Sequence, residues 1–187
     1  PASCTHALYE NSTGDYNTAS GFWALRFNTT GAENTANGAH ALYNNTTGNG
    51  NTATGYYSLY DSVSGYQNTA YGYNALRSNS EGSQNTSVGA QTDVASGNLN
   101  NATAIGYGAI VDANNKIQLG NSEVTSVSTS GALTTGAVTY PTNDGLAGQI
   151  LGTDGSGQLA WVDATSGPQG PKGDTGDTGA TGPQGPK

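Results

Sequence analysis

The stretch ALYNNTTGNGNTATGYY, residues 41–57, decides the fold because it is one copy of a unit that recurs without a gap. The period is 17 residues, and the copies begin at Ala7, Ala24, Ala41, Ser58 and Ala75. Self-similarity at a fixed period is the signature of a repeat architecture. The first half of the chain is therefore predicted to consist of stacked copies of one short unit.

Five columns of this repeat scarcely vary. The leucine column comprises Leu8, Leu25, Leu42, Leu59 and Leu76. The asparagine column comprises Asn17, Asn34, Asn51, Asn68 and Asn85, and the threonine column comprises Thr18, Thr35, Thr52, Thr69 and Thr86. The two glycine columns comprise Gly14, Gly31, Gly48, Gly65 and Gly82, and then Gly21, Gly38, Gly55, Gly72 and Gly89.

This pattern predicts an all-β fold. A 17-residue period is not a whole number of α-helical turns, and glycine, asparagine and threonine disfavour helix interiors. The two glycines of each copy suit tight corners, and the Asn-Thr-Ala-X and Ala-Leu-X stretches have room for two short strands. Each copy is then one coil of a parallel β-solenoid, or β-roll. Coils stacked about 4.8 Å apart turn every column into a ladder of like side chains, so we assign the leucine, asparagine and threonine columns scaffold roles.

The composition favours an ordered, oligomeric fibre. Of 187 residues, 33% are apolar, 10% are charged and 29 are glycine, which leaves too little apolar surface for a monomeric core to offset chain entropy. Disorder would predict abundant charge and few aromatic residues, whereas this chain has 11 tyrosines and 2 tryptophans.

The charge and hydropathy indicate which partners are excluded. A net charge of −8 argues against nucleic acid and anionic membranes, and no apolar run is long enough to insert into a bilayer. The chain opens at Pro1 without an initiator methionine or a signal segment, which predicts a processed or truncated product. Cys4, the single cysteine, excludes an intrachain disulfide and is expected to be a buried or incidental thiol.

The repeat shortens downstream. Asn101, Ile105 and Gly106 recur 14 residues later as Asn115, Leu119 and Gly120. Here the sequence NNATAIGYGAIVDANNKIQLGN resembles the head repeats of trimeric autotransporter adhesins, and phage tail fibres carry similar stretches. The resemblance covers residues 98–121 well and residues 7–97 more loosely. It implies a left-handed parallel β-roll that assembles as a trimer.

The remainder of the chain divides into two segments. Residues 121–166 are aperiodic and are expected to form a trimeric β neck of short strands and turns, with Tyr140 and Trp161 packed at the subunit interface. The run from Thr129 to Ala164 resembles connectors of bacterial surface and phage tail-fibre proteins.

From residue 167 the chain reads GPQGPKGDTGDTGATGPQGPK, which is seven unbroken Gly-X-Y triplets. Only glycine fits the crowded axis of a collagen triple helix, so this run predicts three chains independently of the resemblance. The predicted axial glycines are Gly167, Gly170, Gly173, Gly176, Gly179, Gly182 and Gly185. The expected domains are a solenoid head (1–120), a β neck (121–166) and a collagen-like triple helix (167–187).

The chain offers little chemistry for catalysis. Its only histidines, His6 and His40, share one column two coils apart, about 10 Å, so they cannot jointly bind one metal ion. The acids of the coils are scattered over columns and predict no acidic ladder; they are Glu10, Asp15, Glu33, Asp61, Glu81 and Asp93. We therefore predict no catalytic residue, metal site or cofactor, and no enzyme.

Aromatic columns are the best candidates for recognition. The candidate surface comprises Tyr9, Tyr43, Tyr60, Trp23, Tyr56, Tyr57 and Tyr73. These rings could stack on sugars, but plugging a subunit interface or coating a sparse core is favoured. The Asn-X-Ser/Thr sequons are expected products of an Asn- and Thr-rich repeat, and they begin at Asn11, Asn28, Asn44, Asn45, Asn85 and Asn101.

The sequence thus predicts a non-enzymatic extracellular fibre, structural or adhesive, at a cell surface or on a virion. A bacterial appendage and a phage tail fibre remain open alternatives, as does a glycan-binding module. An ice-binding face built on Thr29, Thr30, Thr46 and Thr47 is a further alternative. The expected partners are two further copies of the chain, a host or surface glycan or protein receptor, and further trimers that join through the open first coil.

Overall fold

The structure is a computed structural model that describes residues 5–131, 134–136, 138, 139, 141, 144–153, 155 and 158–164. The predictions for Cys4, Tyr140 and the collagen-like run 167–187 lie outside these residues. The chain divides into two compact units, residues 1–126 and 127–187. Each unit is described by itself.

The first unit is a parallel β-solenoid of about six turns, and the described residues contain no helix. Its strands are β1 (Thr18–Ser20), β2 (Thr35–Asn37), β3 (Thr52–Thr54), β4 (Thr69–Tyr71), β5 (Thr86–Val88), β6 (Asp93–Val94), β7 (Thr103–Ile105), β8 (Ile110–Val111) and β9 (Ile117–Leu119). One parallel sheet runs in the order β1-β2-β3-β4-β5-β7-β9, and β6 pairs with β8 in a second. The fold class predicted for the repeat region is confirmed.

Each strand of the first five coils is only three residues long, and its register follows the repeat. Thr35 pairs with Thr52 and Ala36 with Ala53, so partners are 17 residues apart. The threonine points outward and the alanine inward, where it is fully buried at Ala36, Ala53 and Ala70. Small inward residues let the opposite walls of the coil approach closely, which produces a thin core of alanine and leucine.

The second strand predicted for the Ala-Leu-X stretch of each repeat is wrong. In its place the chain turns through two left-handed residues separated by one, for example His40 (φ 59°) and Leu42 (φ 51°). A left-handed conformation costs a non-glycine residue about 1–2 kcal/mol, whereas burying a leucine side chain gains about 1.5–3 kcal/mol. Burial of the leucine side chains, complete at Leu25, Leu42, Leu59 and Leu76, therefore offsets the unfavourable backbone.

Hydrogen bonds between coils continue through this turn. The Leu42 N–H donates to the Ser58 carbonyl at 3.0 Å, and the Asn44 N–H donates to the Tyr60 carbonyl at 3.2 Å. The turn thus extends the ladder of the sheet without extended backbone geometry.

The sixth coil has no left-handed leucine. Asp93 occupies the leucine column, one coil after Leu76. The hydrogen bonds show this register, since the Leu76 N–H donates to the carbonyl before Asp93, that of Thr92, just as the Leu59 N–H donates to the carbonyl before Leu76, that of Ala75. The backbone at these residues is extended (β6), so side chains point in the opposite directions to those of the earlier coils. Val94 points inward and is 4% exposed, and Asp93, in the leucine column, points outward. A carboxylate in the apolar core would be costly, which explains the reversal.

The last coil is shorter, as the 14-residue recurrence predicts. Thr103 pairs with Ile117, and the Asn101 side chain donates to the Asn115 amide oxygen at 2.8 Å.

The second unit contains two antiparallel hairpins among its described residues. These are β10 (Thr134–Thr135) with β11 (Val138–Thr139), and β12 (Gln149–Thr153) with β13 (Leu159–Asp163). Trp161 is opposite Leu151 and packs over Gly145. The trimeric β neck over residues 121–166 stays a prediction, as does the role of Trp161 at a subunit interface.

Candidate recognition surface

The asparagine column forms the internal scaffold beneath the surface. The Asn51 amide nitrogen donates to the Gly65 carbonyl at 2.8 Å and to the Asn34 amide oxygen at 3.1 Å. The Asn51 amide oxygen accepts in turn from the backbone and side chain of Asn68, at 3.0 and 3.1 Å. Each buried amide is thereby satisfied by both neighbouring coils, which offsets the cost of burying it.

A second column of polar side chains, four asparagines and one serine, runs through the coils and is half-buried at Asn11 and buried at the other four positions. It comprises Asn11, Asn28, Asn45, Ser62 and Asn79. The Asn45 amide nitrogen donates to Asn28 at 2.7 Å, and Asn28 donates to Asn11 at 2.6 Å. The sequence analysis does not predict this column, although its signal is an asparagine at the same 17-residue spacing, because Asn11, Asn28 and Asn45 also begin sequons.

Ser62 interrupts this second column. Its hydroxyl is too short to reach across the coil, so the Ser62 Oγ and the Asn45 Oδ1 are both buried with no hydrogen-bond partner among the described residues. Two buried polar atoms without partners are a local weakness in this column.

Burial also bears on the sequons. Asn28, Asn45 and Asn85 are fully buried, so their amide nitrogens are inaccessible to glycosylation in the folded coil. This placement fits the prediction that the sequons are by-products of the repeat.

The glycine columns are required by close approach between coils. A Cβ placed on Gly48 would overlap the Gly65 carbonyl oxygen, and one on Gly38 would lie 2.5 Å from the Gly55 carbonyl oxygen. Gly38 also has a φ of 143°, which side chains disfavour.

Most of the predicted recognition residues come together in a continuous cluster along one edge of the first unit. This aromatic corner comprises Phe22, Trp23, His40, Tyr43, Tyr56, Tyr57, Tyr60 and Tyr73. Tyr9 lies one coil before the aromatic corner and contacts His6, with ring centroids 5.2 Å apart. The period of 17 brings the rings into register, because residues of one column stack along the solenoid axis.

Ring stacking occupies the faces at the centre of the aromatic corner. Tyr43 and Tyr60 are nearly parallel, with centroids 5.1 Å apart, and Tyr57 meets Tyr60 edge-on at 4.7 Å. The Arg26 guanidinium lies 4.5 Å from the Trp23 ring centre, and that of Arg77 lies 5.7 Å from that of Tyr60. The two arginines cap the column of rings by cation–π contacts, so its central rings are scaffold rather than stacking platforms.

His40 lies inside the aromatic corner. Its ring stacks on Tyr57 at 4.8 Å and meets Trp23 edge-on at 5.3 Å. Burial lowers the pKa of His40, because the imidazolium would lose water there. Its Nδ1 has no hydrogen-bond partner in the described part of the chain. His6, in the same column, is exposed.

The threonines divide between two roles. Thr18, Thr35, Thr52 and Thr69 expose their side chains on the outer face of the sheet. The Thr29 and Thr46 hydroxyls donate instead to carbonyls of the next coil, at 2.9 and 3.1 Å. Half of the alternative ice-binding face is therefore committed to the scaffold.

An open concavity of about 430 Å³ lies where the aromatic corner ends. Its lining comprises Asp61, Asn74, Arg77, Ser78, Gln91, Asp93 and Ile110. The sequence does not predict this concavity. The one unusual feature of the repeat at this place is Asp93, an aspartate in the leucine column.

The Asp93 carboxylate accepts backbone hydrogen bonds at this concavity. It accepts the Ser78 N–H at 3.2 Å and the Val94 N–H at 2.9 Å, and so replaces the carbonyl of an ordinary coil. Burial raises the pKa of Asp93 despite these hydrogen bonds, and the nearby Asp61 charge raises it further.

A second exposed feature is apolar. The outer position of four successive strands in the sheet is occupied by Tyr71, Val88, Ile105 and Leu119, which we name the outer apolar column. All four are more than 40% exposed, and Ile117 beside them is 67% exposed. The same position in the first three coils holds Ser20, Asn37 and Thr54, so the apolar strip is confined to the later coils.

Within the described ranges no three His, Cys, Asp or Glu side chains are grouped to hold a metal ion. No helix there is long and apolar enough to cross a membrane.

No protein-family model, curated protein or solved structure matches this chain.

Proposed function

We propose that this chain is a segment of an extracellular fibre, structural or adhesive and not enzymatic, that assembles as a homotrimer. The observation that carries the proposal is the outer apolar column, read together with the Gly-X-Y run of the sequence. A strip of apolar side chains on one face of an elongated coil stack is what a partner chain would cover.

The buried interior of one coil stack is small. Its apolar core residues are alanines, leucines and two valines, and no aromatic ring is among them. Stability then depends on hydrogen-bonded ladders and on surface that neighbouring subunits can bury. Three copies joined through their outer apolar columns would supply that surface.

The number three comes from the collagen-like run. Three chains wind together around axial glycines, so any segment preceding the run in the same chain is present in three copies. The homotrimer, the β neck and the triple helix therefore form one proposal.

The proposal of an inert scaffold is supported by the state of His40. A general base needs an accessible nitrogen at the reacting atom, and the Nδ1 of His40 is buried beside rings of the aromatic corner. An extracellular location, at a cell surface or on a virion, is proposed from the collagen-like run and the adhesin-like repeats. A bacterial appendage and a phage tail fibre remain two forms of this proposal.

The proposal is tested by locating the chain in its native source. Immunogold electron microscopy with an antibody raised against the full chain is expected to label filaments that project from the cell or virion surface. A chain found only in the soluble cytosolic fraction, with no labelled filament, would contradict the proposal.

A further inference from the structure

The concavity beside Asn74 is a product of the change in coil type. The stack of rings ends at Arg77, and the sixth coil turns Asp93 outward rather than presenting another aromatic residue. The result is a recess at the end of the aromatic corner, open to solvent and lined by six polar residues and Ile110.

Donors and acceptors are mixed in this recess. The carboxylates of Asp61 and Asp93 supply acceptors, and the Asn74 side chain forms part of the lining beside them. The guanidinium of Arg77 and the amide of Gln91 supply donors. A ligand that fills the recess must therefore both donate and accept hydrogen bonds.

The charges of the lining exclude simple ions. Arg77 disfavours a metal cation, and the two carboxylates Asp61 and Asp93 are too few to hold one alone. The same carboxylates repel phosphate and other anions. A neutral polyhydroxylated molecule remains, because each of its hydroxyls is both donor and acceptor.

The residues that precede Asn74 and Gln91 in the chain form the neighbouring column. The Gln91 N–H donates to the Tyr73 carbonyl and the Gly108 N–H to the Ala90 carbonyl, so Tyr73, Ala90 and Tyr107 share this column. Tyr73 stacks on Tyr56 through one face, with centroids 5.9 Å apart, and Ala90 offers no ring to the other.

The exposed ring of Tyr73 suits the apolar face of a sugar. Tyr73 is 49% exposed, so a pyranose ring could lie in van der Waals contact with it, at about 4 Å. The hydroxyls of that sugar would then face Gln91 and the other polar side chains of the recess.

We infer that the recess formed by Asp61, Asn74, Arg77 and Gln91, with Tyr73 at its edge, binds a neutral saccharide. This inference rests on the proposed fibre and deepens it by naming what the fibre recognises. The central rings of the aromatic corner act as scaffold, and recognition occurs where their stack ends.

The experiment uses the full chain and methyl glycosides of glucose, galactose, mannose and N-acetylglucosamine as probes, each up to about 10 mM. Saturation-transfer NMR is expected to detect at least one of them, and calorimetry to give its Kd. Calcium chloride and inorganic phosphate are titrated in parallel and are expected to show no binding. Binding of calcium or phosphate with none of the glycosides would overturn the inference, as would no binding at all.

Two variants locate the site. Asn74→Gly removes the amide and suits the left-handed backbone at this position (φ 55°), and Tyr73→Ala removes the ring at the edge. Each is expected to weaken glycoside binding about tenfold or more. Tyr16→Ala, at an exposed tyrosine outside the aromatic corner, is the matched control and is expected to bind as the wild type does. Wild-type affinity in both site variants would place the sugar elsewhere and overturn the inference.

Light scattering on the same samples separates the two proposals. A trimer that binds no glycoside refutes the saccharide site and leaves the fibre standing. A monomer that binds a glycoside at Asn74 refutes the trimeric fibre alone.

Discussion

Each buried asparagine of the coils acts as a backbone substitute. Asn51 donates to one carbonyl and accepts from the next coil, as a peptide group in a sheet would. Bonds of this kind add about 1 kcal/mol each to stability, but an amide left without its partner costs about 1–3 kcal/mol. The residue scale is therefore where single substitutions have the clearest expected effects.

Ser62 is the position where stability can be gained. In Ser62→Asn the new amide is expected to donate to the Asn45 Oδ1 and to the Gly65 carbonyl, as Asn45 does in its own coil. The free energy of unfolding should rise by about 1–2 kcal/mol, measured by denaturant titration. Ser64→Asn, at an exposed serine nearby, serves as the control and is expected to change stability by less than about 0.5 kcal/mol. A loss of stability in Ser62→Asn would show that the column does not accept an amide in this coil.

His40 makes the stability of the chain depend on pH. Its folded pKa is lowered by burial, so on acidification the unfolded chain takes up a proton at this residue before the folded chain does. The contribution of His40 is complete above the unfolded pKa of about 6.5 and is lost as pH falls from there towards the lower folded value.

The measurement is the melting temperature between about pH 7.5 and pH 5. The control is His40→Asn, because asparagine tolerates the left-handed backbone and Asn74 occupies the same column. The raised pKa of Asp93 has the opposite effect, because its protonation stabilises the folded chain on acidification. Asp93 is present in both proteins, so the difference between wild type and variant isolates His40. Equal slopes with pH in the two proteins would refute the assignment.

The leucine column shows what sequence reasoning at the residue scale could not reach. The periodicity predicts that Leu42 is buried, and it is. Its φ of 51° was not predictable, because leucine rarely adopts a left-handed conformation and only the packing of neighbouring coils compensates for it. A local rule therefore failed where the tertiary structure overrides it.

At the scale of the element, the coil is defined by its glycines as much as by its strands. Gly48 and Gly50 are two residues apart but differ in what surrounds them. The position of a Cβ on Gly48 is filled by the backbone of the next coil, whereas one on Gly50 would contact only Gln67, at 3.6 Å or more.

This pair provides a matched test. Gly48→Ala is expected to destabilise the coil by more than about 3 kcal/mol or to prevent folding, since the neighbouring coil must move away. Gly50→Ala, at a φ of 64°, should cost only about 1 kcal/mol of backbone strain. Denaturant titration of both variants measures the difference. Equal costs would contradict the close approach of the coils.

Element prediction from the sequence succeeded where one residue type dominates a column. The threonine and alanine of each copy predicted a parallel strand with 17-residue register, and that strand is present. The strand predicted for the Ala-Leu-X stretch was wrong. Over so short a segment, left-handed turns can direct a leucine side chain into the core as well as an extended chain can. The recess at Asp93 was invisible because it depends on a reversal of side-chain direction between coils.

At the scale of the whole molecule, the outer apolar column is the expected contact between subunits. Ile105→Lys places a charge at its centre and is expected to weaken trimer association by about 2 kcal/mol or more per subunit, which analytical ultracentrifugation measures. Asn37→Lys, at the same strand position in an earlier coil, is the control and should leave association unchanged. If the Ile105 variant associates as the wild type does, the interface lies on another face.

The whole-molecule organisation could be predicted only in part. The solenoid follows from a repeat whose columns are visible in one chain, whereas subunit number depends on the Gly-X-Y run and on surfaces that one chain leaves exposed. The aromatic corner was predicted as a set of residues, but not that its rings would occupy each other's faces.

The mass of the full chain in solution, measured by multi-angle light scattering, tests the central claim most directly. Three copies of the 18.8 kDa chain are expected in a single species. A stable, folded monomer at the same concentration would contradict the trimer and the fibre built from it.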